Sequence, residues 1–296
     1  MLNFAVVRKT LANILALCLV LMAFPLTLSG EGRVYTKRVR LSDFSTRTTK
    51  VVLSGGALLE AALRDEVTSH WYLSPYEFCT LAEYEALKGR PDYYFLRIIR
   101  SVRSDSGDGG LLFLSLIKGG KEKGPDPLVR TFEVIRIPLA PTEYSSGREF
   151  LYLPALIDII QEYVEDAMEA DTKGYAGLSN YNTRLSRSVR KQAWISREDI
   201  GFDFTPAQKA RYLDEKLILA SDSDLDRVFR FGTKNALVGV VVAPVSARKG
   251  DWCYKMLISA DTHQLYWYSR HRISFNAWKG FQLSDIRAMS SKGRGR

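Results

Sequence analysis

The sequence contains few of the residues from which metal sites are usually built. Its 296 residues include three cysteines and three histidines. The histidines, His70, His263 and His271, are scattered, and no cysteine has a partner at C-x-x-C or C-x-x-H spacing. The spacing therefore predicts no metal site. A catalytic pair of cysteine and histidine stays open, because such partners meet in the fold rather than in the sequence.

Motifs that bind nucleotides or support nucleophilic catalysis are also missing. No P-loop occurs, and neither G-x-G-x-x-G nor G-x-S-x-G lies between a predicted strand and a predicted helix. We therefore expect no cofactor. The net charge of +9 is dispersed along the chain. Such a charge favours solubility and weak attraction to anionic surfaces, and it does not predict nucleic-acid binding.

One long apolar run lies near the N-terminus, and no second run of that length follows. Arg8 and Lys9 precede the run, which covers residues 11–28 and is interrupted by Pro25 near its end. This order of charged, apolar and helix-breaking segments is typical of a secretory signal peptide. We predict that residues 1–29 are cleaved and that the mature protein is periplasmic, surface-associated or secreted, with membrane contact at most peripheral.

The alternative is an uncleaved anchor in the inner membrane. About 17 apolar residues suffice to span a bilayer, so residues 11–28 are long enough. Two cysteines, Cys79 and Cys253, remain after signal cleavage. In an oxidising compartment they can form a disulfide, and the alternative is two buried thiols that pack as small hydrophobic groups.

Apolar periodicity predicts alternating strands and helices, and hence an α+β fold of mixed or antiparallel sheets with packed helices. Strands are predicted at 49–53, 71–73, 93–102, 111–117, 129–139, 216–220, 236–243, 252–259 and 265–273. The main helices are predicted at 80–88, 150–170, 206–213 and 224–231, with another after residue 56. The chain divides into a signal peptide (1–29), a first α/β half (30–170), a linker (171–195), a second α/β half (196–283) and a basic tail (284–296).

Both halves follow the order helix, strand, helix, strand, strand. Aligning residues 73–78 with 220–225 matches residues 93–96 approximately to the start of the strand predicted at 236–243. This order predicts two similar units. The plainer alternative is one α+β domain whose elements merely alternate.

Several aromatic-rich blocks resemble signal-peptide-bearing, uncharacterised envelope proteins of the Bacteroidales. The blocks are SPYEFCT (74–80), EYEALK (83–88), YYFL (93–96), WCYKMLI (252–258) and LYWY (265–268). The resemblance implies a bacterial cell envelope, and it implies no reaction chemistry.

Two groups of carboxylates have spacings that suggest sites. Asp222, Asp224 and Asp226 match the first positions of a calcium loop, but the glycine and the final glutamate of that motif are missing, so we interpret them as a helix start. Asp158 and Glu162 share one face of the helix predicted at 150–170. Because this face lies opposite the apolar stripe, we interpret it as solvated.

The last predicted hairpin is the segment most suited to binding. Its aromatic and basic side chains are Tyr254, Tyr266, Trp267, Tyr268, Arg270 and His271. Such rings usually pack in a core, but on a surface they can stack on sugar or peptide groups.

These observations predict a non-enzymatic envelope protein that acts as a binding or assembly module for a protein or glycan. One alternative is a hydrolase whose site forms only in the fold, around His70 or His271 with a carboxylate. The other is a glycan-binding protein that uses the aromatic hairpin.

Overall fold

The computed structural model describes residues 41–55, 57–101, 107–120, 131–143, 146–170, 173–174, 177–188 and 190–290. The predicted signal peptide and the end of the predicted tail, beyond residue 290, lie outside these ranges. None of the described helices is both long and apolar enough to cross a membrane.

Two five-stranded mixed sheets organise the described chain. The first consists of β1 (Thr48–Leu53), β2 (Tyr76–Thr80), β3 (Tyr93–Arg100), β4 (Leu111–Lys118) and β5 (Phe132–Pro141). The second consists of β6 (Gln192–Ser196), β7 (Leu217–Ala220), β8 (Ala236–Val242), β9 (Trp252–Ser259) and β10 (Leu265–Arg272). The α-helices are α1 (Ala57–His70), α2 (Leu81–Leu87), α3 (Arg148–Glu169), α4 (Thr183–Arg187), α5 (Pro206–Tyr212), α6 (Asp222–Arg230) and α7 (Leu283–Met289). The predicted α+β fold is confirmed.

The two sheets have the same topology. In each, the strands lie in the order second, first, third, fourth, fifth. The first strand is parallel to both of its neighbours, and the later pairs are antiparallel. We call residues 48–169 the first repeat and residues 192–289 the second repeat. The prediction of two similar units is confirmed.

The repeats also share a β-bulge between their last two strands. In the first sheet, Leu116 pairs with Ile135 but the next residue of β4 pairs with Glu133, so one residue of β5 is extra. In the second sheet, Leu257 pairs with Trp267 but the next residue of β9 pairs with Leu265. A bulge inserts one residue and increases the local twist, so the two sheets bend at equivalent places.

The N-caps of two equivalent helices show that the alignment of residues 73–78 with 220–225 is wrong. Thr80 caps α2 in a capping box with Glu83, and Ser221 caps α6. Each cap lies at the end of the second strand of its repeat, four residues after the equivalent positions Tyr76 and Leu217, so Thr80 and Ser221 are the matching residues.

Three further differences from the predicted elements concern segments with weak local patterns. The strand predicted at 71–73 is wrong, because the backbone N–H groups of Tyr72 and Leu73 bind the Gln161 side chain instead of a neighbouring strand. The second repeat begins with β6, which lies inside the predicted linker (171–195). Helix α7 occupies the beginning of the predicted tail.

The two repeats share one main core, in which α3 contacts α6 and β5 contacts β8. The main core joins one face of the first sheet, α1, α3, α6 and the β8–β10 face of the second sheet. A second core packs α5 and α7 on the opposite face of the second sheet, and a small third core packs α2 on the outer face of the first. At the junction, Tyr152 of α3 meets Phe229 of α6 edge to face, with ring centroids 4.7 Å apart. Helix α3 therefore belongs to both halves of the core.

Candidate metal centre

Two of the three histidines converge on one carboxylate at the junction of the repeats. Nδ1 of His263 lies 2.7 Å from Oδ2 of Asp158, and Nδ1 of His70 lies 3.6 Å from Oδ1 of the same residue. One potential ligand atom from each residue lies within 4.8 Å of the others. Within the described ranges, this is the one group of three or more histidine, cysteine or acidic residues with this proximity. We call it the His70–Asp158–His263 cluster.

A buried amide fixes the position of His70. Gln161 follows Asp158 by three residues on α3, so both lie on the same face of that helix. The Gln161 side chain is fully buried, donates to the carbonyl of His70 at 2.9 Å and accepts from the N–H groups of Tyr72 and Leu73. The end of α1 is therefore held against α3, with the imidazole of His70 toward Asp158.

His263 is placed by the turn between β9 and β10. Its backbone has a φ of +57°, in the left-handed region that histidine, asparagine and aspartate occupy more often than other non-glycine residues. Its N–H donates to the carbonyl of Ser259, and its ring stacks on Phe229 with centroids 5.5 Å apart. The turn and the stacking partner together direct the imidazole toward α3.

The surroundings of the cluster are acidic. Glu66, one turn before His70, places its carboxylate 3.5 Å from Nε2 of His70. Glu162 is bound by both terminal nitrogens of Arg184, at 2.9 and 2.7 Å. Asp158 and Glu66 have no such cation against them among the ion pairs of the described residues. A divalent cation would supply the missing positive charge.

The hydroxyl of a nearby tyrosine lies in the same acidic surroundings. The Tyr72 hydroxyl donates to Glu165 at 3.2 Å. Partial burial, followed by the carboxylates of Glu165 and Asp158, raises the pKa of this hydroxyl to about 12.

The donor set fits a borderline transition metal. Two imidazoles and one carboxylate are the usual protein ligands of catalytic zinc sites and of non-haem iron sites, with further positions left open. Neighbouring ligand atoms around tetrahedral zinc are about 3.3 Å apart, given bonds of about 2.0–2.1 Å. The two separations from Asp158, 2.7 Å to His263 and 3.6 Å to His70, lie on either side of this value. Glu66 is placed to orient His70 by accepting from its second nitrogen, as carboxylates commonly do behind metal-bound histidines.

The solvated-face interpretation of Asp158 and Glu162 is wrong. Their side chains are only 29% and 22% exposed, and each has a partner from another element. Around Asp158 and Glu162 this face of α3 is covered by the end of α1 and by the segment around α4, whereas Glu169 further along is exposed. By contrast, Asp222, Asp224 and Asp226 are used as interpreted: the backbone N–H of Asp224 donates to the side chain of its cap Ser221, while the other two bind Arg148.

The aromatic residues of the β9–β10 hairpin lie mostly in the core. Tyr254, Trp267 and Tyr268 are buried, so they do not form a platform for a sugar. Tyr266 is half-buried and packs at the edge of the second core. Arg270 lies over the ring of Trp252, 4.1 Å from its centroid. The surface that the sequence predicts for glycan binding is therefore largely interior.

His271 does not join the His70–Asp158–His263 cluster. Its Nε2 lies 2.9 Å from the carbonyl oxygen of Trp278, and its Nδ1 is buried without a hydrogen-bond partner among the described residues. Burial, with the nearby ammonium of Lys255, lowers its pKa.

Of the two alternatives for the cysteines, the structure has the two buried thiols and not the disulfide. Cys79 and Cys253 are both free and buried. Cys79 packs in the outer core of the first repeat, whereas Cys253 accepts a hydrogen bond from the N–H of Gly280 in the second. Burial raises the pKa of both thiols, to about 11 for Cys253, which disfavours a nucleophilic thiolate.

Two surface cavities lie away from the cluster. They measure about 550 and 320 Å³, share Arg197, and lie by the carboxyl ends of β6 and β7. Neither is lined by a histidine or a cysteine. The cavities therefore do not extend to the His70–Asp158–His263 cluster.

Comparison of the chain with protein-family models, with curated proteins and with solved structures finds no match. The feature that bears on function is the site itself: two imidazoles and a carboxylate, held between two similar α+β repeats.

Proposed function

We propose that the protein is an exported binding module of a bacterial cell envelope, and that its ligand is a divalent transition-metal ion. The supporting observation is the convergence of His70, Asp158 and His263 from three separate elements. A structural ion pair would need one histidine, whereas here both imidazoles face the two oxygens of one carboxylate. Because the ligands come from both repeats, a bound ion would cross-link them.

Metal binding is expected to stabilise the fold. A ligand at 100 times its Kd adds about 2.7 kcal/mol to the free energy of unfolding. We therefore expect Zn²⁺ to raise the Tm of the chelator-treated, untagged protein. Mg²⁺ should leave it unchanged, since Mg²⁺ prefers oxygen ligands. The rise should shrink in acid, because histidine must be neutral to bind.

Variants then locate the ion. Asp158→Asn keeps the size of the side chain and removes its charge, and it should abolish the response to Zn²⁺. Glu66→Gln should weaken affinity by about 10- to 100-fold, the effect usual for a group that orients a metal-bound histidine. His271→Gln is the matched control, since it removes the third histidine. A zinc response that survives Asp158→Asn, or that His271→Gln abolishes, would refute the site.

Metal-assisted hydrolysis is the second candidate. A zinc ion held by three protein ligands would keep one coordination position for a water. Because the cluster is only partly buried, a substrate could reach that position. The test is hydrolysis of ester and phosphoester substrates by the zinc-loaded protein, compared with Asp158→Asn. Equal rates for the two proteins would exclude this activity at the cluster.

Export is tested by the intact mass of the native protein. Cleavage after the predicted signal peptide should remove about 3 kDa, the mass of a segment of typical signal length. The mature protein should then be released by osmotic shock. Recovery of the full-length mass in the membrane fraction would instead establish the anchor through residues 11–28.

A further inference from the structure

A tight turn after β10 holds a large aromatic side chain in solvent. Ser274 and Ala277 exchange backbone hydrogen bonds, so Phe275 lies at the tip, where its exposure is 99%. Trp278, just after the turn, is 49% exposed. Single exposed hydrophobic residues are common, but here two large aromatics lie three residues apart at one protruding end of the second sheet.

The turn is held rigidly from beneath. The carbonyl of Trp278 lies 2.9 Å from Nε2 of His271 and accepts from the Gln282 amide at 2.7 Å. The N–H of Gly280 donates to the Cys253 sulfur. These bonds fix both ends of the segment, so Phe275 is kept out of the core by ordered structure.

The loop between β8 and β9 lies beside this turn. The N–H of Gly250 donates to the carbonyl of Ile273 at 2.8 Å, and the Arg272 guanidinium binds the carbonyl of Gly250. Val245, on the same loop, is 44% exposed. We call segments 244–250 and 272–280 together the aromatic tip.

Charge on the tip is of one sign. Its four cationic side chains are exposed: Arg248, Lys249, Arg272 and Lys279. The two segments contain no acidic residue. None of these cations takes part in an ion pair within the described chain. Two acids contact the tip from outside these segments: Glu143 accepts from the N–H of Ser246 at 3.1 Å, and the buried Asp251 accepts from the N–H of Arg248 at 2.8 Å.

We infer that the aromatic tip docks the protein on an anionic lipid surface, with Phe275 and Trp278 at the level of the headgroups and the four cations against lipid phosphates. Aromatic side chains favour the membrane interface. Each cation near an anionic leaflet strengthens membrane binding by about 1 kcal/mol, which corresponds to a factor of about five in affinity. Charge complementarity selects this occupant over a neutral apolar partner. The contact would be peripheral and sensitive to salt.

Vesicle sedimentation tests the inference. The native protein should pellet with vesicles of phosphatidylcholine containing phosphatidylglycerol and stay in solution with phosphatidylcholine alone. Phe275→Ser should weaken vesicle binding at least tenfold, because burying such a side chain contributes about 1.5–3 kcal/mol. Charge reversal in Lys249→Glu with Lys279→Glu should weaken it further.

The chain offers a matched control elsewhere on its surface. Phe231, at the end of α6, is 75% exposed, and Lys234 close to it is also exposed. Phe231→Ser and Lys234→Glu should bind vesicles as the native protein does. Circular dichroism and the Tm should show that all variants are folded.

Three results would overturn the inference. The native protein could fail to pellet with anionic vesicles, or Phe275→Ser could bind them as tightly as Phe231→Ser. In the third, Phe275→Ser would abolish self-association in sedimentation velocity while leaving vesicle binding intact. The tip would then be an interface between two copies of the chain.

Discussion

Replacing Asp285 with asparagine is expected to destabilise the protein by about 3–5 kcal/mol, because the substitution leaves a buried ammonium without its counter-charge. Lys255 and Asp285 bind at 2.6 Å with side chains only 2% and 9% exposed. Asparagine can still accept from the N–H of Gln282, the other bond that Asp285 makes at the start of α7. The substitution therefore removes the negative charge and keeps this hydrogen bond.

Denaturant unfolding of three variants separates this effect from general damage. Lys255→Met with Asp285→Asn should recover most of the loss, since no buried charge remains unpaired. Glu169→Gln breaks an exposed pair with Lys173 and should cost at most about 1 kcal/mol. A cost for Asp285→Asn as small as that of Glu169→Gln would contradict the prediction.

Replacing Asp199 with asparagine is expected to stabilise the protein, and only above acidic pH. Burial raises the pKa of this carboxyl from 3.8 to about 7 against the opposing pull of Arg148. Its Oδ2 is buried without a hydrogen-bond partner among the described residues. Ionised Asp199 is therefore unfavourable in the folded protein.

The sign of the pH dependence follows from proton binding. Between pH 3.8 and about 7 the folded state holds a proton that the unfolded state has lost, so native stability falls as pH rises. Above about pH 7 this loss is complete and amounts to at most about 4 kcal/mol, at about 1.4 kcal/mol per pKa unit.

The comparison with Asp199→Asn should be made at about pH 4.5 and pH 8. The variant's advantage should be small at the lower pH and largest at the higher. Exposed Asp203 supplies the control, and Asp203→Asn should show no such pH-dependent gain. An advantage of Asp199→Asn that is equal at both pH values would contradict the burial argument.

Local patterns in the sequence predict most elements correctly. The capping box of Thr80 and Glu83 and the apolar stripe of α3 depend on neighbours a few residues apart, so the sequence shows them directly. Strand β6 was missed because its five residues follow a polar segment and lack a clear alternation. Its identity as a central strand depends on β7 and β8, which lie later in the chain.

The similarity of the repeats was predicted only in outline. Strand order and the shared bulge depend on backbone hydrogen bonds, which many side chains can accommodate. Two segments with different residues can therefore have the same topology. For this reason the order of elements predicted two similar units correctly, whereas the residue alignment was out of register.

The candidate site could not be predicted from spacing. His70 and His263 are distant in sequence, and each approaches Asp158 only because α3 lies between the two repeats. The absence of a local metal motif was a correct observation, but it does not bear on ligands that meet in the fold. The one available signal was Asp158 on the polar face of α3, and it was interpreted as solvent-exposed.

The most direct test of the proposed metal site is a crystal structure of the zinc-loaded protein, with anomalous diffraction measured on both sides of the zinc absorption edge. We expect one anomalous peak bonded to His70, His263 and Asp158 at about 2.0–2.1 Å. A zinc-loaded protein whose anomalous peak lies elsewhere, with His263 still hydrogen-bonded to Asp158 and no ion between them, would contradict the proposal.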